Sequence, residues 1–179
     1  MNDDRALLSA LRAIQARGAI GEASLEQAIV HAEQFVGALP SGLSTLIDLG
    51  SGGGLPGLVI AVRRPEIHVT LVERRQSRAD LLSRAVRSLE LGSHVTVVAG
   101  DVRVVGESAP RSFDAVTARS FAAPAVTAHW AGVLLHTGGR LVVSEPPVDD
   151  ADRWPNPLLA AAGLVDLGRE QGVRVFTRG

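Results

Sequence analysis

From Leu46 to Gly57 the chain reads Leu-Ile-Asp-Leu-Gly-Ser-Gly-Gly-Gly-Leu-Pro-Gly, and this stretch limits the fold more than any other. Its first four residues suit a buried strand, the glycines a tight turn, and the apolar run Leu58 to Val62 beyond Pro56 a helix. Glycines remove the Cβ atoms that would hold a ligand off the backbone, and they tolerate positive φ. A helix that follows such a turn offers unpaired N–H groups and the positive end of its dipole. A strand, a backbone-exposing loop and a helix in that order make a nucleotide-type binding junction.

The rest of the chain alternates. Leu7, Leu8, Leu11 and Ile14 recur at helical spacing before Gly18, and Ser24 with Gln27 opens a second helix as a capping box. After the glycine stretch, strands are predicted at Ile67 to Val72, Val95 to Ala99, Phe113 to Ala118 and Arg140 to Ser144. Helices are predicted at Gln76 to Leu91, with Gly92 as cap, and at Ala123 to Leu135. Strands alternating with helices imply right-handed crossovers, hence an α/β fold with a mostly parallel sheet covered on both faces. A helix near Pro157 to Ala162 then precedes two strands, Leu164 to Gly168 and Val173 to Thr177. The turn between them is too short for a parallel crossover, so the sheet should end with an antiparallel strand.

With 179 residues and no linker-like or repeated segment, a single domain is expected: an N-terminal helical region, 1–42, and a binding core, 43–179. No apolar run reaches the ~20 residues of a membrane span, and the start Met1-Asn2-Asp3-Asp4-Arg5 is unlike a signal peptide. A cytoplasmic protein with no membrane partner is the expectation. Cysteine is absent, which excludes disulfides and thiolate chemistry. The five histidines lack metal-ligand spacing and no G-x-S-x-G elbow occurs. The net charge of −1 gives no global pull on nucleic acid, so contact with RNA requires a local patch. Arg74, Arg75 and Arg78, with Arg63 and Arg64 before them, are the sequence candidates for one.

Two fingerprints overlap on the glycine stretch. Gly52 to Gly57 satisfies the dinucleotide pattern G-x-G-x-x-G, whereas Asp48 to Gly54 satisfies D-x-G-x-G-x-G, the first motif of S-adenosylmethionine-dependent methyltransferases. The second register is favoured because its first glycine directly follows the strand. Glu73 ends the second strand, where a carboxylate can take both ribose hydroxyls, and Asp101 follows the third, where it can accept from an adenine amino group. Open α/β sheets bind ligands beyond these carboxyl ends.

The motif from Asp48 to Gly57, followed by Val116-Thr117-Ala118-Arg119-Ser120-Phe121-Ala122, resembles the bacterial ribosomal RNA small-subunit methyltransferase G family, also called glucose-inhibited division protein B. The resemblance spans about Leu46 to Val143 and is most distinctive at Leu55-Pro56-Gly57. It implies a class I methyltransferase that uses S-adenosyl-L-methionine and methylates guanine N7 in 16S ribosomal RNA, with the small ribosomal subunit as partner. It also implies that Gly50, Ser51, Gly52, Gly54 and Pro56 form the cofactor loop, that Glu73 takes the ribose, and that Arg119 stands at the methyl-transfer end; Asp48 and Asp101 are cofactor candidates from the motif register and the strand end. The family's N-terminal Trp-Asn and Asn-Leu-Thr signature is missing here, and its Leu-Lys-Gly after the fifth strand is replaced by Ser144-Glu145-Pro146-Pro147. Arg119 and Glu145 are therefore the catalytic-side candidates, and a small-molecule acceptor or a non-catalytic, cofactor-binding partner protein are the alternatives.

Overall fold

The computed structural model describes residues 2–146 and 153–179. Two helices, α1 (Asn2–Gln15) and α2 (Leu25–Ala38), lead into β1 (Thr45–Leu49), α3 (Gly57–Arg63), β2 (His68–Glu73), α4 (Gln76–Ser88) and β3 (Val95–Ala99). There follow α5 (Val102–Ser108), β4 (Phe113–Ala118), α6 (Pro124–Leu134), β5 (Leu135–Ser144), α7 (Asn156–Ala162), β6 (Leu164–Glu170) and β7 (Val173–Arg178). The seven strands form one sheet in the order β3-β2-β1-β4-β5-β7-β6. Pairing is parallel from β3 to β5, and β7 runs antiparallel to both neighbours, so the expected single reversal sits one place inside the edge.

Each central strand is apolar on both faces because helices cover both. In β1, Leu46 points into a core built with Leu7, Leu11, Phe35, Leu58 and Leu82, and Ile47 and Leu49 point into a second core with Val105, Val116, Trp154 and Phe176. Asp48 falls on the same face as Leu46 by the two-residue period of a strand. It is thus a carboxylate buried among hydrocarbon, only 1% exposed.

Three elements differ from the sequence reading. The segment Val102–Ser108 is a helix where no element was predicted. Its valines favour strands, but Asp101 caps it by accepting from the Arg103 N–H at 3.0 Å, and Val102 and Val105 pack into the second core. Helix α4 ends without Gly92: Glu90 takes the left-handed conformation at φ 57°. The N–H of Leu91 then returns to the Val86 carbonyl at 3.0 Å, which buries Leu91. Strand β5 starts at Leu135, and Gly138-Gly139 lies inside it at an irregularity in the pairing with β4.

Candidate functional site

The carboxyl ends of β1, β2, β3 and β4 open onto a crevice of about 420 Å³, lined among others by Gly50, Glu73, Arg78, Asp101, Phe121 and Trp130. A second hollow of about 500 Å³ lies beyond the end of β4, where His31, Arg119, Ser144, Glu145 and Arg153 converge. Ser120, at φ 56°, lines both. One residue therefore separates a ligand-sized crevice from a charged hollow.

The loop is built inward from Asp48. Thr117, its register partner on β4, donates to Asp48 Oδ1 at 2.7 Å. The other oxygen, Oδ2, lies buried against Gly57 at the start of α3, with no hydrogen-bond partner among the described residues. A Cβ on Gly57 would lie 2.8 Å from Asp48 Oδ2 and 2.3 Å from Leu71 Cδ2, so only glycine fits there. A buried carboxylate thus sits against the helix start that the dinucleotide register assigns to a pyrophosphate. Ser51 fixes the loop from below, with its hydroxyl donating to the Asp48 carbonyl at 2.9 Å and its N–H to the Val72 carbonyl at 2.9 Å.

Glu73 fixes the loop from the side. One carboxylate oxygen accepts from the Gly52 N–H at 3.0 Å and the other from the Arg75 N–H at 2.7 Å. The group is almost fully buried and joins the glycine turn to the start of α4. Each oxygen retains a lone pair, which leaves Glu73 able to accept two hydroxyls. Gly50, at φ 65°, lets Phe121 close over the turn, because a Cβ there would lie 2.9 Å from Phe121 Cδ2.

Of the residues expected to contact the cofactor, Gly50, Glu73 and Asp101 line the crevice together. Asp48, Ser51, Gly54 and Pro56 lie buried beneath it and shape it rather than line it, and Gly52 reaches it through its bond to Glu73. Arg119 lines the second hollow and not the crevice. The aromatic walls, Phe121 and Trp130, escaped the sequence reading. Trp130 rests against Gly106 of the unpredicted α5, which is why its place was not legible from spacing.

In the second hollow, burial pulls the Arg119 guanidinium below its ordinary value while the Asp48 charge pulls it back up. Burial, and then the charge of Arg119, lower the His31 pKa, so its imidazole is neutral at neutral pH. His31 Nε2 is buried with no hydrogen-bond partner among the described residues. Glu145 does not stand free in the hollow: Oε1 accepts from Trp154 Nε1 at 2.9 Å and lies 3.5 Å from Arg153 Nε. The charge reversal seen in the sequence is thus offset by an adjacent arginine. Pro147, the last residue of that motif, lies outside the described residues.

Asp48 also makes stability depend on pH. Desolvation raises its pKa from 3.8 to about 6 against the hydrogen bonds that lower it. Between those values the folded state holds a proton that the unfolded state releases, so stability falls as pH rises. The gap corresponds to about 3 kcal/mol. Asp48→Asn should remove that fall, and urea titrations from pH 4 to pH 7 should show a wild-type loss across the interval that the variant lacks. Parallel pH profiles would show that Asp48 is ionised throughout.

Comparisons with known proteins bear on the family and the fold. Residues 19–145, which include the crevice and most of the second hollow, match the family model described as rRNA small subunit methyltransferase G. A ribosomal RNA small subunit methyltransferase G from Salinispora arenicola is 47% identical over 103 residues, covering 55% of this chain and 43% of that protein. One from Mycobacterium sp. strain JLS is 35% identical over 139 residues, covering 74% and 59%. The chain spans about half the length of the curated relatives it matches. Among solved structures, the cyclase SpnF aligns with a TM-score of 0.65 at 24% identity, over 83% of this chain and 61% of that one. The S-adenosylmethionine-dependent methyltransferase SibL aligns at 0.66 and 16%, over 85% and 55%. At these identities the likeness concerns the fold, which is that of class I methyltransferases. By the family model that covers more than half of its length, the chain belongs to the rRNA small subunit methyltransferase G family.

Proposed function

We propose that this chain is a cytoplasmic methyltransferase that transfers a methyl group from S-adenosyl-L-methionine to N7 of a guanine in 16S ribosomal RNA, acting on that RNA within the small ribosomal subunit. The observation that carries the reading is the junction at Ser120, where a crevice floored by glycines and edged by Glu73 meets the hollow that holds Arg119, inside the family-matched region. No helix among the described residues is long and apolar enough to cross a membrane.

The crevice fits the cofactor. Glu73 accepts the ribose hydroxyls on its remaining lone pairs, Asp101 accepts from the adenine amino group, and Phe121 and Trp130 supply apolar walls for the base. When bound, the cofactor supplies a methyl group already activated on a sulfonium. The protein's task is then alignment of the acceptor, an effect that in well-oriented reactions reaches about 7–11 kcal/mol. Arg119, whose guanidinium forms no ion pair among the described residues, holds the guanine at O6 and leaves N7 open. Guanine N7 carries a free lone pair and loses no proton, so the hollow needs no general base. His31, neutral and with Nε2 unpartnered among the described residues, is the base that a hydroxyl acceptor would use, so the labelled product decides between the two acceptors.

The test is transfer of tritiated methyl groups to small ribosomal subunits, to free 16S ribosomal RNA and to a metabolite extract. Label is expected in the RNA. Label in metabolites alone would make this a small-molecule methyltransferase on the same fold, and binding of S-adenosylhomocysteine with no labelled acceptor would make it a non-catalytic partner protein.

A further inference from the structure

The five arginines that cluster in the sequence do not act together in the fold. Arg63 bonds to Asp4 at 2.6 Å and to Glu33 at 2.7 Å, and Arg64 bonds to Glu66, so both are neutralised. Arg75 and Arg78 meet two arginines from elsewhere instead: Arg17, just past the end of α1, and Arg84, two turns along α4. The four line a hollow of about 480 Å³ together with Ser77, whose hydroxyl has no hydrogen-bond partner among the described residues. None of the four forms an ion pair among the described residues.

A single carboxylate, Asp80, lines this hollow, and one of its oxygens already accepts from Gln76 Nε2 at 2.9 Å. Four arginines thus line one concave surface of a chain whose net charge is −1. Beside them, α4 begins with no side-chain cap and no acidic residue in its first turn. Arginines at an uncapped helix start oppose the helix dipole. An anion lying in the hollow relieves both conflicts, since guanidinium groups and helix-start N–H groups each donate to phosphate oxygens. Arg75 and Arg78 also line the cofactor crevice, so the hollow and the crevice share a rim.

We propose that the hollow lined by Arg17, Arg75, Arg78 and Arg84 is a docking surface for RNA backbone phosphates, which holds the substrate strand beside the methyl-transfer site. This rests on the RNA reading given under the proposed function. The repeated anions of a nucleic acid backbone match several spaced guanidiniums on one surface better than a lone small anion does.

The test uses the double variant R17A/R84A, because those two residues line the hollow and not the crevice. Affinity for a 16S ribosomal RNA transcript is measured by fluorescence anisotropy across a salt series, with calorimetric titration of S-adenosylhomocysteine in parallel. The expected result is an RNA affinity lower by roughly tenfold or more and a log–log salt slope reduced by about two, with cofactor affinity unchanged. R111E, at the opposite end of the strands, changes net charge by the same amount and should leave the slope nearly intact. A wild-type protein that binds the transcript while R17A/R84A matches it in affinity and slope overturns this surface and leaves the RNA reading standing. An equal loss in R111E also overturns it, since net charge alone would account for the effect. A wild-type protein with no affinity for the transcript overturns both.

Discussion

Glu73→Gln is expected to weaken binding of S-adenosylhomocysteine by roughly ten- to a hundredfold, about 1–3 kcal/mol for a buried charged acceptor lost. The side chain keeps its size, so packing is preserved. Its hydrogen bonding is not: the carboxylate receives two backbone N–H groups, from Gly52 and from Arg75, one on each oxygen. An amide has one oxygen and one NH2 group, so one of those N–H groups would face a donor. The loop and the start of α4 could not both remain in register, and the ribose would lose one of its two acceptors. Calorimetric titration measures the loss, and wild-type affinity in the variant would remove Glu73 from both roles. Glu73→Ala should be worse in stability as well, because both N–H groups would then lie buried without partners.

Gly57→Ala is expected to destabilise the fold by about 2–3 kcal/mol, which in a chain of this size lowers Tm by about 5–10 °C. The added Cβ would lie 2.3 Å from Leu71 Cδ2, and Leu71 is fully buried, so the leucine has nowhere to retreat. It would also lie 2.8 Å from the buried Asp48 Oδ2. The loop above would shift with it, and cofactor affinity should fall in parallel with stability. Gly92→Ala is the control, since no atom lies within 4 Å of a Cβ there and its φ is ordinary; it should remain within about 0.5 kcal/mol of wild type. Urea unfolding of the two variants side by side measures the difference. A Gly57→Ala protein as stable as Gly92→Ala would mean that β2 and α3 are free to separate.

Most of the fold was legible because its signals are local. Strands β3 and β4 begin and end where the apolar runs do, and Ser24 caps α2 by accepting the Gln27 N–H as its capping-box spacing predicts. Where the reading failed, tertiary packing overrode a local preference. Valines that favour strands became α5 because Val102 and Val105 had a core to fill. Glu90 took a left-handed conformation in place of Gly92 because Leu91 had to turn inward. In the site, Glu73 and Asp101 were legible from their position at strand ends, whereas Phe121 and Trp130 were not, because nothing in their spacing says which cavity an aromatic side chain will wall.

The glycine stretch, read alone, determined that this chain carries a strand, a turn and a helix arranged to bring backbone close to a ligand. It also carried the family, since Asp48 and Leu55-Pro56-Gly57 are local in sequence. Tertiary structure alone decided what those residues do. Asp48 turned out to pack against the start of α3 from within the core, because the two-residue period of β1 leaves it no other direction once Ile47 and Leu49 face the opposite side. It decided as well which arginines are neutralised and which remain unpaired among the described residues, because ion pairing depends on distance in space: Arg63 is bound by Asp4 and Glu33, and Arg17 and Arg84 line one hollow with no described carboxylate paired to either.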